Sequence, residues 1–171
     1  MSLQLEVRER NNWEATSKMR ETCLDKGQSE DDCHNFLMVL QSYGNKLYAC
    51  GSYAYSPLCS WRQMENLNVT TYDKGVGKCP FNPQANITTL MTESGKIFVG
   101  SPTDFSGSDP AILRADISHA DSKMLRTNQY NSKWLNDPQF VGSFENGEFV
   151  YFIFRETAVE YINCGKVRLF F

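Results

Sequence analysis

KWLNDPQFVGSFENGEFVYFIFRE, Lys133 to Glu156, contains the dense apolar run Phe149-Val150-Tyr151-Phe152-Ile153-Phe154. Asn146-Gly147 stands between two strand-like runs, and both residues tolerate the positive φ of a two-residue type I′ turn, so the stretch reads as a β-hairpin. Counting outward from that turn, Phe144 faces Phe149, Val141 faces Phe152 and Phe140 faces Ile153, which pairs aromatic and β-branched side chains across the ladder. A half-exposed antiparallel strand alternates apolar with polar residues. A run without alternation calls for covering layers on both sides of the sheet, hence a sheet stacked between other sheets.

The same plan recurs along the chain. Gly44-Asn45-Lys46-Leu47-Tyr48-Ala49-Cys50, Ser94-Gly95-Lys96-Ile97-Phe98-Val99-Gly100 and Asn146-Gly147-Glu148-Phe149-Val150-Tyr151-Phe152 each set small turn residues and one charge before an apolar strand. The charged positions 46, 96 and 148 lie about 50 residues apart. Strand-like runs precede each turn at Asn35 to Gln41, Asn86 to Met91 and Gln139 to Phe144. A third strand is expected after each hairpin, at Ala54 to Trp61, Ala111 to Ala115 and Thr157 to Ile162. Three such meanders fit the blades of a β-propeller, whose sheets stack face to face around an axis. The competing reading is a β-sandwich with coincidental spacing. Closed propellers have about four to eight blades, so about three blades leave two open faces.

The 171 residues can bury one ordinary core. A formal net charge of -3 lacks the basic footprint of a nucleic-acid binder, and the acidic run Glu30-Asp31-Asp32 reads as a solvated loop. No stretch of about 18 apolar residues is long enough to cross a membrane. No apolar signal core follows Met1, which reads as an incomplete chain. Six cysteines and the sequons Asn68-Val69-Thr70 and Asn86-Ile87-Thr88 point to the secretory pathway, with Asn68 and Asn86 as glycan acceptors. Cys23 and Cys33 flank a polar loop, and Cys50 and Cys59 flank a short one, spacings suited to local disulfides in an oxidising compartment.

No catalytic constellation emerges. Gly75-Val76-Gly77-Lys78-Cys79 resembles part of a phosphate-binding loop, but Tyr72 stands where its first glycine belongs and Cys79 replaces the Ser or Thr. His34 and His119 lack the paired ligands of a zinc site. Glu156 and Glu160 read as strand-end residues rather than a glycosidase pair. Asp104 and Asp109, in Ser101-Pro102-Thr103-Asp104-Phe105-Ser106-Gly107-Ser108-Asp109-Pro110, read as a surface loop without EF-hand spacing. Phe105 in that polar loop is either a plug turned inward or a contact anchor.

Glu30-Asp31-Asp32-Cys33-His34-Asn35-Phe36, Leu47-Tyr48-Ala49-Cys50-Gly51, Gly77-Lys78-Cys79-Pro80-Phe81-Asn82-Pro83, Val99-Gly100-Ser101-Pro102-Thr103-Asp104-Phe105, Leu125-Arg126-Thr127 and Trp134-Leu135-Asn136-Asp137-Pro138-Gln139-Phe140 together resemble the semaphorin family. The similarity runs from about Asn12 to Lys166. It implies an all-β fold, a partial seven-bladed β-propeller (sema domain) with residues 1–166 as about three blades, and 167–171 as a tail that does not continue the pattern. The Tyr161-Ile162-Asn163-Cys164 ending resembles invertebrate-type or transmembrane semaphorins. Semaphorin resemblance implies a non-enzymatic extracellular guidance cue that binds the plexin receptor ectodomain, forms a homodimer at full length and needs no cofactor. It pairs Cys23 with Cys33 and Cys50 with Cys59, and leaves open whether Cys79 and Cys164 join, stay free or await other partners. Asp104, Phe105 and Gln129, in loops beside the family motifs, are the expected partner-facing residues. A sema-fold receptor ectodomain fragment and a truncated non-functional or decoy product are the alternative readings.

Overall fold

The structure, a computed structural model, describes residues 10–116, 124–158 and 168–170. Three antiparallel sheets follow one another along the chain. The first comprises β1 (Leu37–Tyr43), β2 (Lys46–Gly51), β3 (Leu58–Gln63) and β4 (Val69–Lys74) in the order β1-β2-β3-β4. The second comprises β5 (Thr88–Met91), β6 (Lys96–Pro102), β7 (Pro110–Asp116) and β8 (Leu125–Arg126), again in sequence order. β9 (Gln139–Asn146), β10 (Phe149–Thr157) and β11 (Arg168–Phe170) make the third, with β10 central.

The three hairpins fall where the repeat places them, but the last one turns one residue later than expected. Asn146 pairs with Phe149, leaving Gly147-Glu148 as the two-residue loop, and Phe144 faces Tyr151 rather than Phe149. Only Gly147 of this turn takes a positive φ, +62°, the sign pattern of a type II′ turn in which glycine holds the first central position. Asn146 is therefore free to remain in the strand. The later turn also puts Phe152 opposite Ser143 and not Val141, and a bulge between Ile153 and Phe154 then shifts the register again, so Phe140 faces Phe154 and not Ile153. The rings of Phe144 and Tyr151 stack with centroids 5.1 Å apart.

Other boundaries also move. Ala54 lies in a turn, not at the start of a strand: Tyr53, Ala54 and Tyr55 all adopt positive φ, and β3 begins only at Leu58. Thr157 closes β10, so the third strand of the last sheet is not Thr157 to Ile162; 159–162 lie outside the described residues. Its place is taken by β11, drawn from the 167–171 tail and paired to Arg155, Glu156 and Thr157. A helix, α1 (Ser17–Asp25), precedes the sheets. Thr16 caps it, its hydroxyl oxygen accepting from the Met19 amide at 3.3 Å. It ends in a Schellman turn: Gly27, at φ +83°, donates to the Leu24 carbonyl and Gln28 to the Cys23 carbonyl.

β1, β5 and β9, the first strand of each sheet, lie side by side, the arrangement that stacking around an axis produces. Gln41 Nε2 donates to both the Thr89 carbonyl and its hydroxyl at 3.1 Å, tying β1 to β5. Thr88 and Ser143 share a hydroxyl hydrogen bond of 2.9 Å between β5 and β9. Between the first two sheets a core forms from Val39, Tyr48, Cys50, Cys59, Ile97, Val99 and Leu113. Cys50 and Cys59 face each other across β2 and β3 and are disulfide-bonded. A second cluster, around the Cys23–Cys33 disulfide, packs Ala15, Ala54 and Tyr55 beneath α1. The outer face of the third sheet is open: Val141, Phe144, Phe149, Tyr151 and Ile153 are all exposed, as are Leu37 and Leu40 on the first. The apolar run thus has one covered face and one bare face.

Candidate receptor-binding loops

The loop from β6 to β7 and the segment from β8 to β9 meet around one carboxylate. Asp109, 1% exposed, accepts from the Thr103 hydroxyl at 2.7 Å, the Tyr130 amide at 3.0 Å and Arg126 Nη2 at 2.8 and 2.9 Å. Burial pushes its carboxyl up, but these hydrogen bonds and the Arg126 charge outweigh burial and hold it below the usual carboxylate range. The expected surface-loop role for Asp109 is therefore corrected: it is a buried hub. An aspartate before Pro110 reads locally as a turn residue, while its partners Arg126 and Tyr130 lie 17 and 21 residues further on.

Asp104 shapes the same loop. Its carboxylate accepts from the Ser106 hydroxyl, the Ser108 hydroxyl at 2.9 Å and the Asp109 amide at 2.8 Å. Burial raises its carboxyl and these donors more than reverse the effect, so it too is held low. Phe105 turns inward. Its ring lies 5.3 Å from Tyr55 and 6.0 Å from Phe81, with Lys26 Nζ 5.4 Å from the ring centroid. These are the surroundings of a plug. Gln129 is exposed, one residue before Tyr130, which adopts φ +49°. Of the three expected partner-facing residues, Gln129 alone is fully presented to solvent.

The stretch Trp134 to Phe140 is pinned to the end of β10. Asn136 donates its amide to Glu156 Oε2 at 3.0 Å and its Nδ2 to the Thr157 carbonyl at 2.8 Å. Glu156 is thus a structural clasp; Glu160 lies outside the described residues. Leu135 is buried and Trp134 is 68% exposed, a large aromatic left beside the loops. A cleft of about 510 Å³ opens among Asn86, Ser106, Ser108, Tyr130, Asn131 and Asn136.

The remaining expected sites lie elsewhere. Asn68 is exposed immediately before β4, the edge strand of the first sheet. Asn86 is exposed and donates Nδ2 to Gln139 Oε1 at 2.8 Å. Cys79 is a buried free thiol that burial pushes up to about 12, too high for a reactive thiolate at neutral pH. Cys164 and His119 lie outside the described residues. The stretch resembling a phosphate loop is a turn whose Lys78 is ion-paired with Asp73. Among the described residues no group of three or more His, Cys, Asp or Glu is placed to hold a metal ion, and no helix is long and apolar enough to cross a membrane.

No protein-family model matches the chain. It is 58% identical over 168 residues, 98% of its length, to Semaphorin 5c of Drosophila melanogaster, and spans 15% of that protein. Drosophila Semaphorin 1b, extracellular domains 1-2, superposes on 94% of the chain with a TM-score of 0.83 at 36% identity, the match spanning 30% of the solved chain. A chain from the solved complex of Drosophila Plexin A with Semaphorin 1b matches equally widely, with a TM-score of 0.82 at 36% identity, the match covering 94% of this chain and 30% of that one. Three sheets with their first strands side by side and these matches lead to one conclusion: the chain belongs to the semaphorin family and forms part of a sema propeller.

Proposed function

We infer that the chain is an extracellular binding module, a section of a semaphorin propeller that engages a plexin receptor ectodomain in guidance of growing or migrating cells. The observation that carries this reading is the similarity over 94% of the chain to a chain of the solved complex of Drosophila Plexin A with Semaphorin 1b. The loop geometry supports it. Hydrogen bonds within the chain, centred on Asp109 and Asp104, brace these two adjacent loops, and a preorganised surface loses less entropy on binding. Gln129, Tyr130 and Trp134 are exposed side chains that such a surface offers, while Asp104 shapes the loop and Phe105 anchors it. The role is binding and not catalysis.

The test is binding of the oxidised, monodisperse chain to immobilised plexin ectodomain. Saturable binding that weakens on Gln129→Ala, with thermal stability unchanged, supports the assignment. Absence of binding by a folded sample refutes it.

A further inference from the structure

Two sequons, one on each of the first two sheets, differ in a way that only the packed structure reveals. In Asn68-Val69-Thr70 the acceptor Asn68, just before the outer strand of the first sheet, and Thr70 on it are both exposed. The Thr70 hydroxyl donates to the Trp61 carbonyl at 3.2 Å in an exposed bond within its own sheet. In Asn86-Ile87-Thr88 the acceptor Asn86 is exposed, but Thr88 is 8% exposed and its hydroxyl is joined to Ser143 of the next sheet at 2.9 Å. A motif defined by an amide and a hydroxyl two residues apart is read through both groups. With the second and third sheets packed together, one of the two is out of reach.

We propose that Asn86 carries an N-linked glycan added only before the second and third sheets pack, and that its first N-acetylglucosamine seats in the cleft beside it. The timing follows from the chain itself. Ser143 lies 55 residues after Thr88, so during synthesis the sequon is complete and open well before the residue that buries its hydroxyl exists. In the transfer, Asn86 Nδ2 attacks C1 of a lipid-pyrophosphate-linked oligosaccharide. The C1–O bond to the pyrophosphate breaks, the lipid pyrophosphate leaves, and one amide proton passes to the transferase. The amide keeps its second N–H, which can continue to donate to Gln139 Oε1. The cleft fits the product: about 510 Å³, polar, and flanked by the exposed ring of Tyr130, a surface on which a sugar can stack.

The proposal rests on the extracellular reading above, and transfer in vitro tests it separately from plexin binding. The full chain, produced without glycan, is offered to purified oligosaccharyltransferase and a lipid-linked donor, once folded and once reduced and unfolded. Site occupancy is then read by mass spectrometry. The expected result is modification of both asparagines in the unfolded chain and of Asn68 well ahead of Asn86 in the folded one. Transfer to Asn86 should be at least about tenfold slower after folding, because it must wait for the sheets to open. Equal rates in the two states overturn the timing, and no transfer to Asn86 in the unfolded chain overturns the acceptor assignment. For the seat, the Asn86 glycan is trimmed to one N-acetylglucosamine and amide hydrogen exchange is compared with the bare chain. Slowed exchange at Tyr130 and Asn131 is expected, and unchanged exchange there places the sugar outside the cleft.

Discussion

The ring of Phe140 fills the space that a side chain at position 100 would need: a Cβ built on Gly100 would lie 2.5 Å from Phe140 Cε1. Gly100 belongs to β6 and Phe140 to β9, so this close approach sets how the third sheet seats on the second. Gly100→Ala should force the ring aside and destabilise the chain by about 1–3 kcal/mol, measured by chemical denaturation. Phe140→Ala should cost about 3–5 kcal/mol through the cavity it leaves. If the contact is as described, the double variant loses less than the sum of the two single losses.

Phe105→Ala separates the plug from the anchor. Losing a half-buried ring between Tyr55 and Phe81 should lower stability by about 2 kcal/mol. A thermal melt superimposable on the parent chain would show that the ring contributes nothing to the fold and exists to meet a partner.

Acid should loosen the loops before the sheets. Asp104 and Asp109 are both held below the ordinary carboxylate range in the folded chain. As pH falls, the unfolded state takes up these protons first, near its value of about 3.9. The stability they confer is therefore complete above the unfolded value and is lost as pH drops through the folded values. In Asp109→Asn this loss should shrink, and the variant should be weaker than the parent at neutral pH because Arg126 loses its partner. A parent whose stability is flat from pH 6 to the acid limit contradicts the hub.

Cys79 should resist alkylation in the folded chain at neutral pH and react once the chain is unfolded. Its thiol is buried in the core between the first two sheets and pushed up to about 12. Rapid labelling under native conditions, followed by mass spectrometry, would place the thiol at the surface instead.

The repeat was legible because each hairpin states it locally, through a glycine at the turn and an apolar strand after it. What sequence could not settle is which turn residue takes the left-handed conformation. Asn146 and Gly147 both tolerate it, and the choice of Gly147 moves every cross-strand partner. The bulge past Ile153 shifts partners again, and no composition marks it. β4 was missed because an edge strand with one solvated side, Val69-Thr70-Thr71-Tyr72-Asp73-Lys74, reads as polar loop. α1 was missed because its apolar stripe is weak, with Cys23 its one buried residue. In the loops, Asp104 and Gln129 were visible as polar residues near strong motifs. The hub was not, since Asp109 meets Arg126 only after β7 and β8 have paired.

The most direct test of the account is hydrogen–deuterium exchange of the folded chain with and without plexin ectodomain. Protection confined to residues 103–109 and 127–136 is the predicted result. Protection of the open β9–β10 face alone, or no change anywhere, would contradict the assignment of these loops as the receptor-binding surface.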